Sequence, residues 1–321
     1  MSIRFVTYSD QSIDQTLLQT SANQHKIDLS VILIEDRWVS HWQKIEYLLQ
    51  FLKTQVPSND YVCYLDAFDT IFNQSQDNIV NKFESLEKDL IFGSEANYSM
   101  SIKSQIGPYL EKYPTVDPLY NYLNAGTFMG KKESIITFIE SVLNYFKIQL
   151  PDQHLYSSGE DDQSYFNIFF VEYTLGNVDS PISIGLDNRQ ILFGCTGGRV
   201  AAIPETFASV PLQFIYYKKE RSVLKRSGLL HLQRFFLDLV HDDDSFFNKK
   251  TNERPVIIHS PGSGSNFRAI VSFNRETKAE FSNLFDRSSL FAKLKTYWTF
   301  LKLKIKHPFE SNLIRFYYSY K

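Results

Sequence analysis

Tyr61-Val62-Cys63-Tyr64-Leu65-Asp66-Ala67-Phe68-Asp69-Thr70-Ile71-Phe72 is the stretch around which the chain is organised. Its apolar start has the residues of a buried strand and stops at Asp66, and Asp69 follows one turn of chain later. At the end of a parallel strand the backbone leaves the sheet. Asp66 and Asp69 would then face the crevice in which open α/β sheets bind their ligands. Carboxylate oxygens are hard ligands suited to Mg²⁺ or Mn²⁺, ions that take one or two protein carboxylates and complete their shell with substrate phosphates. A solvated acidic turn has the same sequence, so the motif alone leaves both readings open.

Working outward, Ile3 to Thr7 reads as a first strand, Asp10 to Gln24 as a helix and Leu29 to Ile34 as a second strand. Trp42, Ile45, Leu48, Leu49 and Leu52 recur at helical spacing and predict a helix over Trp42 to Thr54. Asn78 to Lys88 reads as another helix and Asp89 to Glu95 as a fourth strand. This β-α alternation predicts an α/β fold with a mostly parallel, Rossmann-like sheet and helices on both faces. No G-x-G-x-x-G follows the first strand, so a dinucleotide fingerprint is absent.

Further on, Tyr122 to Gly130 is a strand with small residues at its entrance, and Glu133 to Phe146 is a helix. Small residues there suit either close approach to a ligand or a tight turn. Gly159-Glu160-Asp161-Asp162-Gln163 opens a helix through Phe170; acids at a helix start are also favoured by the macrodipole alone. Leu186 to Phe193 reads as a turn and short strand, with strand segments again around Leu212 to Tyr217. Val256 to His259 is a late strand ending on a histidine, and the loop Ser260 to Ser265 follows. A parallel sheet gathers its strand ends at one edge, where a neutral imidazole could join two carboxylates around a metal.

With 34 basic and 36 acidic residues the chain is nearly neutral, so no global field argues for nucleic acid. The 27 Phe and 19 Tyr are ample for a large core. Cys63 and Cys195 provide no disulfide framework, and Cys63 reads as a buried free thiol. The N-terminus runs directly into a strand pattern without a signal-peptide-like segment, and no apolar run is long enough for a membrane span. These features predict a cytoplasmic protein.

Residues 1–285 are expected to form the main domain and 286–321 a basic amphipathic helical extension. Leu290, Phe291, Leu294, Trp298, Leu301 and Ile305 fall on one helical face, flanked by Lys293, Lys295, Lys302, Lys304 and Lys306. Such a helix suits an anionic membrane surface, in a peripheral attachment, as well as it suits packing on the domain.

Taken in order, several blocks between residues 3 and 268 resemble the glycosyltransferase domain of the procollagen lysyl hydroxylases, of the metal-dependent GT-A type. Gln43-Lys44, Leu65 to Phe72, Ile91 to Ala96, Tyr122 to Gly130, Asp161-Asp162-Gln163, Leu186-Asp187 with Ile191 to Phe193, and Ile257 to His259 carry the likeness. The resemblance implies transfer of a hexose from a UDP-sugar, UDP-glucose or UDP-galactose, to a glycan, glycolipid or protein acceptor. It implies that Asp66, Asp69 and His259 hold Mn²⁺, with Mg²⁺ as the alternative, against the diphosphate. Thr7 and Lys44 would contact the nucleotide, with Phe68 flanking the uridine. Asn124, Ala125 and Gly126 would border the donor sugar, and Asp161 or Asp162 would orient hydroxyls or act as base.

The chain departs from that pattern after the histidine, where Ser260-Pro261-Gly262 replaces G-N-G. Gly262, Arg268 or the amides of Ser263 to Ser265 would then serve the diphosphate. Two alternatives stand beside this reading. The Asp66-to-Thr70 spacing also resembles the nucleophile motif of haloacid-dehalogenase-like phosphatases, which would make Asp66 the nucleophile. A sugar-nucleotide or glycan-binding protein without turnover is the other.

Overall fold

The computed structural model describes residues 2–14, 16–34, 41–95, 112–114, 120–149, 162–195, 239–241, 245–248 and 250–259, all within one compact unit. In chain order these residues form β1 (Ile3–Ser9), α1 (Leu17–His25), β2 (Leu29–Leu33), α2 (His41–Gln55), β3 (Tyr61–Asp66), β4 (Thr70–Phe72), α3 (Ile79–Glu84) and β5 (Leu90–Glu95). They continue with β6 (Tyr122–Lys131), α4 (Lys132–Gln149), α5 (Asp162–Thr174), β7 (Ile184–Leu186), β8 (Phe193–Cys195), β9 (Leu239–His241), β10 (Phe246–Asn248) and β11 (Ile257–His259). The extension expected over 286–321 and the strands expected near 212–217 lie outside the described residues.

The main sheet has the order β2-β1-β3-β6-β5-β7. Every neighbouring pair is parallel except those made by β6, which runs against both β3 and β5. Side chains alternate across the sheet as the strand period requires. Phe5, Tyr61, Cys63 and Leu65 pack with Leu18 and Ala22 of α1 and Ile79 and Phe83 of α3. Val6, Tyr8, Val62 and Tyr64 pack on the other face with α2, α4 and α5. The α/β fold with helices on both faces is thus the one expected, and the reversal of β6 is the addition. A strand buried on both faces has no alternation to reveal its direction.

The second core is aromatic. Phe166 of α5 lies 4.9 Å from Phe138, 5.7 Å from Phe92 and 6.1 Å from Trp42, ring centre to ring centre. Truncating such a residue to Ala typically costs roughly 3–5 kcal/mol. This packing fixes α5, and with it Asp162, against the sheet.

Two helices are shorter than the sequence suggests. Helix α1 starts at Leu17 because Ser9, Ser12 and Thr16 spend their hydroxyls on local turns, and Thr16 caps the helix by accepting from the Gln19 amide at 3.1 Å. Helix α3 ends at Glu84, three residues before Glu87 adopts a left-handed φ of 52°.

A second sheet, β4-β11-β8, stands at the end of β3. Its register sets His259 opposite Thr70 on β4 and opposite Cys195 on β8. Asp187 anchors the approach to β8. Its carboxylate accepts from the amides of Ile191, Leu192 and Phe193 at 2.9, 2.7 and 2.9 Å. Burial pushes this carboxyl up to about 6 against the pull of those three N–H groups.

Candidate metal and donor site

The site begins where β3 ends. The Thr70 hydroxyl donates to the Asp66 carbonyl and closes the bend at residues 67–69. Phe68 is partly exposed on that bend. From there β4 pairs with β11, so Asp69 and His259 meet although they are far apart in sequence. His259 Nε2 lies 3.4 Å from Asp69 Oδ1 and 4.0 Å from Asp66 Oδ2. Among the described residues, Asp66, Asp69 and His259 are the group whose ligand atoms could hold a metal ion, all within 4.8 Å of one another. The histidine is buried, and neither ring nitrogen has a well-formed hydrogen bond among the described residues.

Burial by itself would lower the His259 imidazole. Asp69, then Asp66 and Glu95, outweigh it and raise the imidazole above its usual value. The cluster therefore attracts positive charge.

Strand β6 lets the ligand groups approach its backbone closely. Phe92 pairs with Phe128, but the next residue, Gly93, pairs with Asn124, so Ala125, Gly126 and Thr127 bulge away from β5. A Cβ on Gly93 would come within 2.3 Å of Thr127 Oγ1, so the bulge needs glycine there. A Cβ on Gly126 would sit 2.7 Å from Asp66 Oδ2 and 2.8 Å from His259 Nε2. The missing side chain thus lets both prospective ligands close on the strand, and the three groups form a cradle of ligand atoms beside Gly126. The donor set of two carboxylates and one imidazole suits a divalent ion such as Mn²⁺. The residues fit a metal.

Lys44 comes from the first turn of α2 and is buried. Its Nζ lies 2.9 Å from Asp66 Oδ1 and 2.8 Å from Asp162 Oδ2, over the Tyr64 ring at 5.8 Å. Burial opposes its charge, but Asp162 and then Asp66 more than offset that and hold the ammonium well above its ordinary range. Tyr64 also reaches Asp66 Oδ1, at 3.3 Å through its hydroxyl. Thr7 is fully buried and donates its hydroxyl to the Leu65 carbonyl at 2.7 Å, which ties β1 to β3 beside Asp66.

Gln163, in the first turn of α5, links β5 to β6. Its Nε2 donates to Glu95 Oε1 at 2.7 Å, and its Oε1 accepts from the Ala125 amide at 3.2 Å. Asn124 accepts from the Gly126 amide at 3.0 Å and donates to Glu95 at 3.3 Å. The sequence reading assigned no role to Glu95, Gln163 or Tyr64. Glu95 was signalled by the same rule as Asp66, a carboxylate ending a buried strand. Asp161, Gly262 and Arg268 lie outside the described residues.

A profile of the PLOD GT domain matches residues 7–228. The chain belongs to this family of glycosyltransferase domains. Among curated proteins, this PLOD-type domain is 31% identical over 132 residues to an uncharacterized protein of Acanthamoeba polyphaga mimivirus, covering 40% of this chain and 25% of that one. It is 24% identical over 270 residues to the multifunctional procollagen lysine hydroxylase and glycosyltransferase of Caenorhabditis elegans, covering 80% of this chain and 30% of that one. The chain thus spans a quarter to a third of the length of these relatives. A solved glycosyltransferase involved in glycosylation of the major capsid of PBCV-1 aligns over 85% of this chain and 100% of its own, at 11% identity and a TM-score of 0.43.

The family leaves the phosphatase alternative unsupported, and the Thr70 hydroxyl that such a reading would use is committed to the Asp66 carbonyl. No helix among the described residues is long and apolar enough to cross a membrane.

Proposed function

We propose that this PLOD-type domain transfers a hexose from a UDP-sugar to a glycan, glycolipid or protein acceptor, with a divalent cation at Asp66, Asp69 and His259. One observation carries the reading: the three ligand groups converge to within 4.8 Å of one another, where the missing side chain of Gly126 lets Asp66 and His259 close on β6. A bound divalent ion, Mn²⁺ by preference, would supply Lewis-acid stabilisation to the departing diphosphate. Asp66, Asp69 and His259 would hold it.

The remaining tasks fall to this chain's own groups. Phe68, partly exposed beside the carboxylates, offers a face against which a uracil ring can stack. The Asn124 and Gln163 side chains fix the amides of Ala125 and Gly126, so the strand edge bordering the sugar is preorganised. Asp162 is buried and its Oδ2 faces the Lys44 ammonium, which suits orienting better than accepting a proton. Asp161 is left as the candidate base if the reaction inverts.

UDP release across a panel of UDP-sugars, with Mn²⁺ against chelator, tests this on wild type and Asp66→Ala. Release that needs Mn²⁺ and falls by at least about a hundredfold in the variant is expected, in line with the loss of a site that preorganises charge. Release that survives both chelation and Asp66→Ala would sink the proposal. UDP and Mn²⁺ binding without release would favour the non-catalytic alternative.

A further inference from the structure

We propose that Lys44 is a positioning residue, the resident counter-cation of the site, and that it couples the metal carboxylate Asp66 to Asp162 at the head of α5. The inference rests on the metal reading above and deepens it. Three elements meet at one ammonium: α2 brings Lys44, β3 brings Asp66 and α5 brings Asp162. All three side chains are largely withdrawn from water, at 7%, 29% and 5% exposure, so solvent screens their interaction little.

The two oxygens of Asp66 face different partners. Oδ1 takes Lys44 at 2.9 Å and the Tyr64 hydroxyl at 3.3 Å. Oδ2 is the oxygen beside the Gly126 cradle and His259. Lys44 therefore sets the carboxylate plane and leaves Oδ2 toward the cradle. It also places a positive charge next to the position a second cation would take. The two cations compete for one carboxylate, and competition for a shared charge is a coupling between sites. Whatever draws Asp66 toward the cradle leaves Lys44 more firmly on Asp162, and the reverse also holds.

This arrangement makes two opposite predictions for residues that are not themselves ligands. Lys44→Met removes the competitor, so Mn²⁺ should bind more tightly, by roughly tenfold given the strength of a unit charge at this separation. Asp162→Asn leaves Lys44 to Asp66 alone, so Mn²⁺ should bind more weakly. Lys44→Arg keeps the charge, so its Mn²⁺ affinity should lie closer to wild type than that of Lys44→Met, with a different fit of the planar guanidinium in the buried site.

Mn²⁺ binding is measured without nucleotide, by the loss of the free-ion electron paramagnetic resonance signal, with circular dichroism as a folding control. Opposite-sign shifts in the two variants support the proposal; a merely structural role would weaken both. If Lys44→Met does not fold, the Asp162→Asn and Lys44→Arg pair decides, and Asp162→Asn binding as tightly as wild type overturns the proposal. Wild type that binds Mn²⁺, with Lys44→Met unchanged or weaker, would overturn this inference alone. Wild type that binds no Mn²⁺ would overturn the metal reading and this inference with it.

Discussion

At the scale of single residues, Gly126 makes the sharpest demand. Its φ is not in the left-handed region, so alanine should be tolerated by the backbone. The Cβ would nevertheless stand 2.3 Å from His259 Cε1 and 2.7 Å from Asp66 Oδ2, so both prospective ligands would have to move away. Gly126→Ala is therefore expected to keep the fold and to weaken Mn²⁺ binding by about 10–100-fold, the scale on which groups behind metal ligands act. A folded variant with wild-type Mn²⁺ affinity would show that the cradle lies elsewhere. Residue identity was also where the sequence was most legible. Asp66, Asp69 and His259 were named from strand ends and resemblance, and they converge in the structure. Lys44 was expected to contact the nucleotide; its place between two carboxylates is a further feature that the sequence reading did not include. Nothing in its local sequence could reveal partners contributed by two other elements.

Among the elements, the turn from β7 to β8 sets the position of His259 indirectly. Asp187 gathers three backbone N–H groups, β8 follows, and β11 lies in register with β8. This explains physically why Leu186-Asp187 and Ile191 to Phe193 read as one block. Alanine would leave those three buried N–H groups without an acceptor. Asp187→Ala should therefore destabilise the protein by about 1–3 kcal/mol, read from the urea midpoint. A midpoint unchanged within error would argue that the turn holds itself. The direction of β6 and its bulge were not legible. Both depend on which strands flank it, and a run as short and small as Asn124-Ala125-Gly126 fits a bulge, a turn or a straight strand equally well.

For the whole molecule, the acid limb of stability follows from carboxylates of opposite behaviour. Hydrogen bonds from Ser2 and Arg4 lower Asp60, and those from Ser183 lower Asp89. A carboxyl lowered by folding favours the native state above its unfolded value, about 3.9, and that contribution is lost as the pH falls through the folded value. Asp187 runs the other way. Its folded value of about 6 exceeds the unfolded one, so acidification toward pH 4 favours the native state. Between pH 5 and pH 3 the urea midpoint should fall mainly below about pH 4, and Asp60→Asn should flatten that fall. A steep loss already complete at pH 5 would contradict this assignment. Farther along the chain, the basic segment 286–321 is legible only as a pattern. If that segment holds a membrane surface, truncation after Phe285 should abolish sedimentation with anionic liposomes; undiminished sedimentation would remove the membrane role.

The second sheet has a consequence for the order of events during synthesis. Asp66 ends β3 and Asp69 lies on the bend after it, so both emerge early, whereas His259 reaches them only when β11 joins β4 and β8. A nascent chain that has extruded β1 to β7 carries all six strands of the main sheet but not the third ligand. Closing that long loop is the slow, non-local step in the topology. Among the described residues the three ligand groups therefore meet only with the last strand, so cation binding would report that β11 has docked.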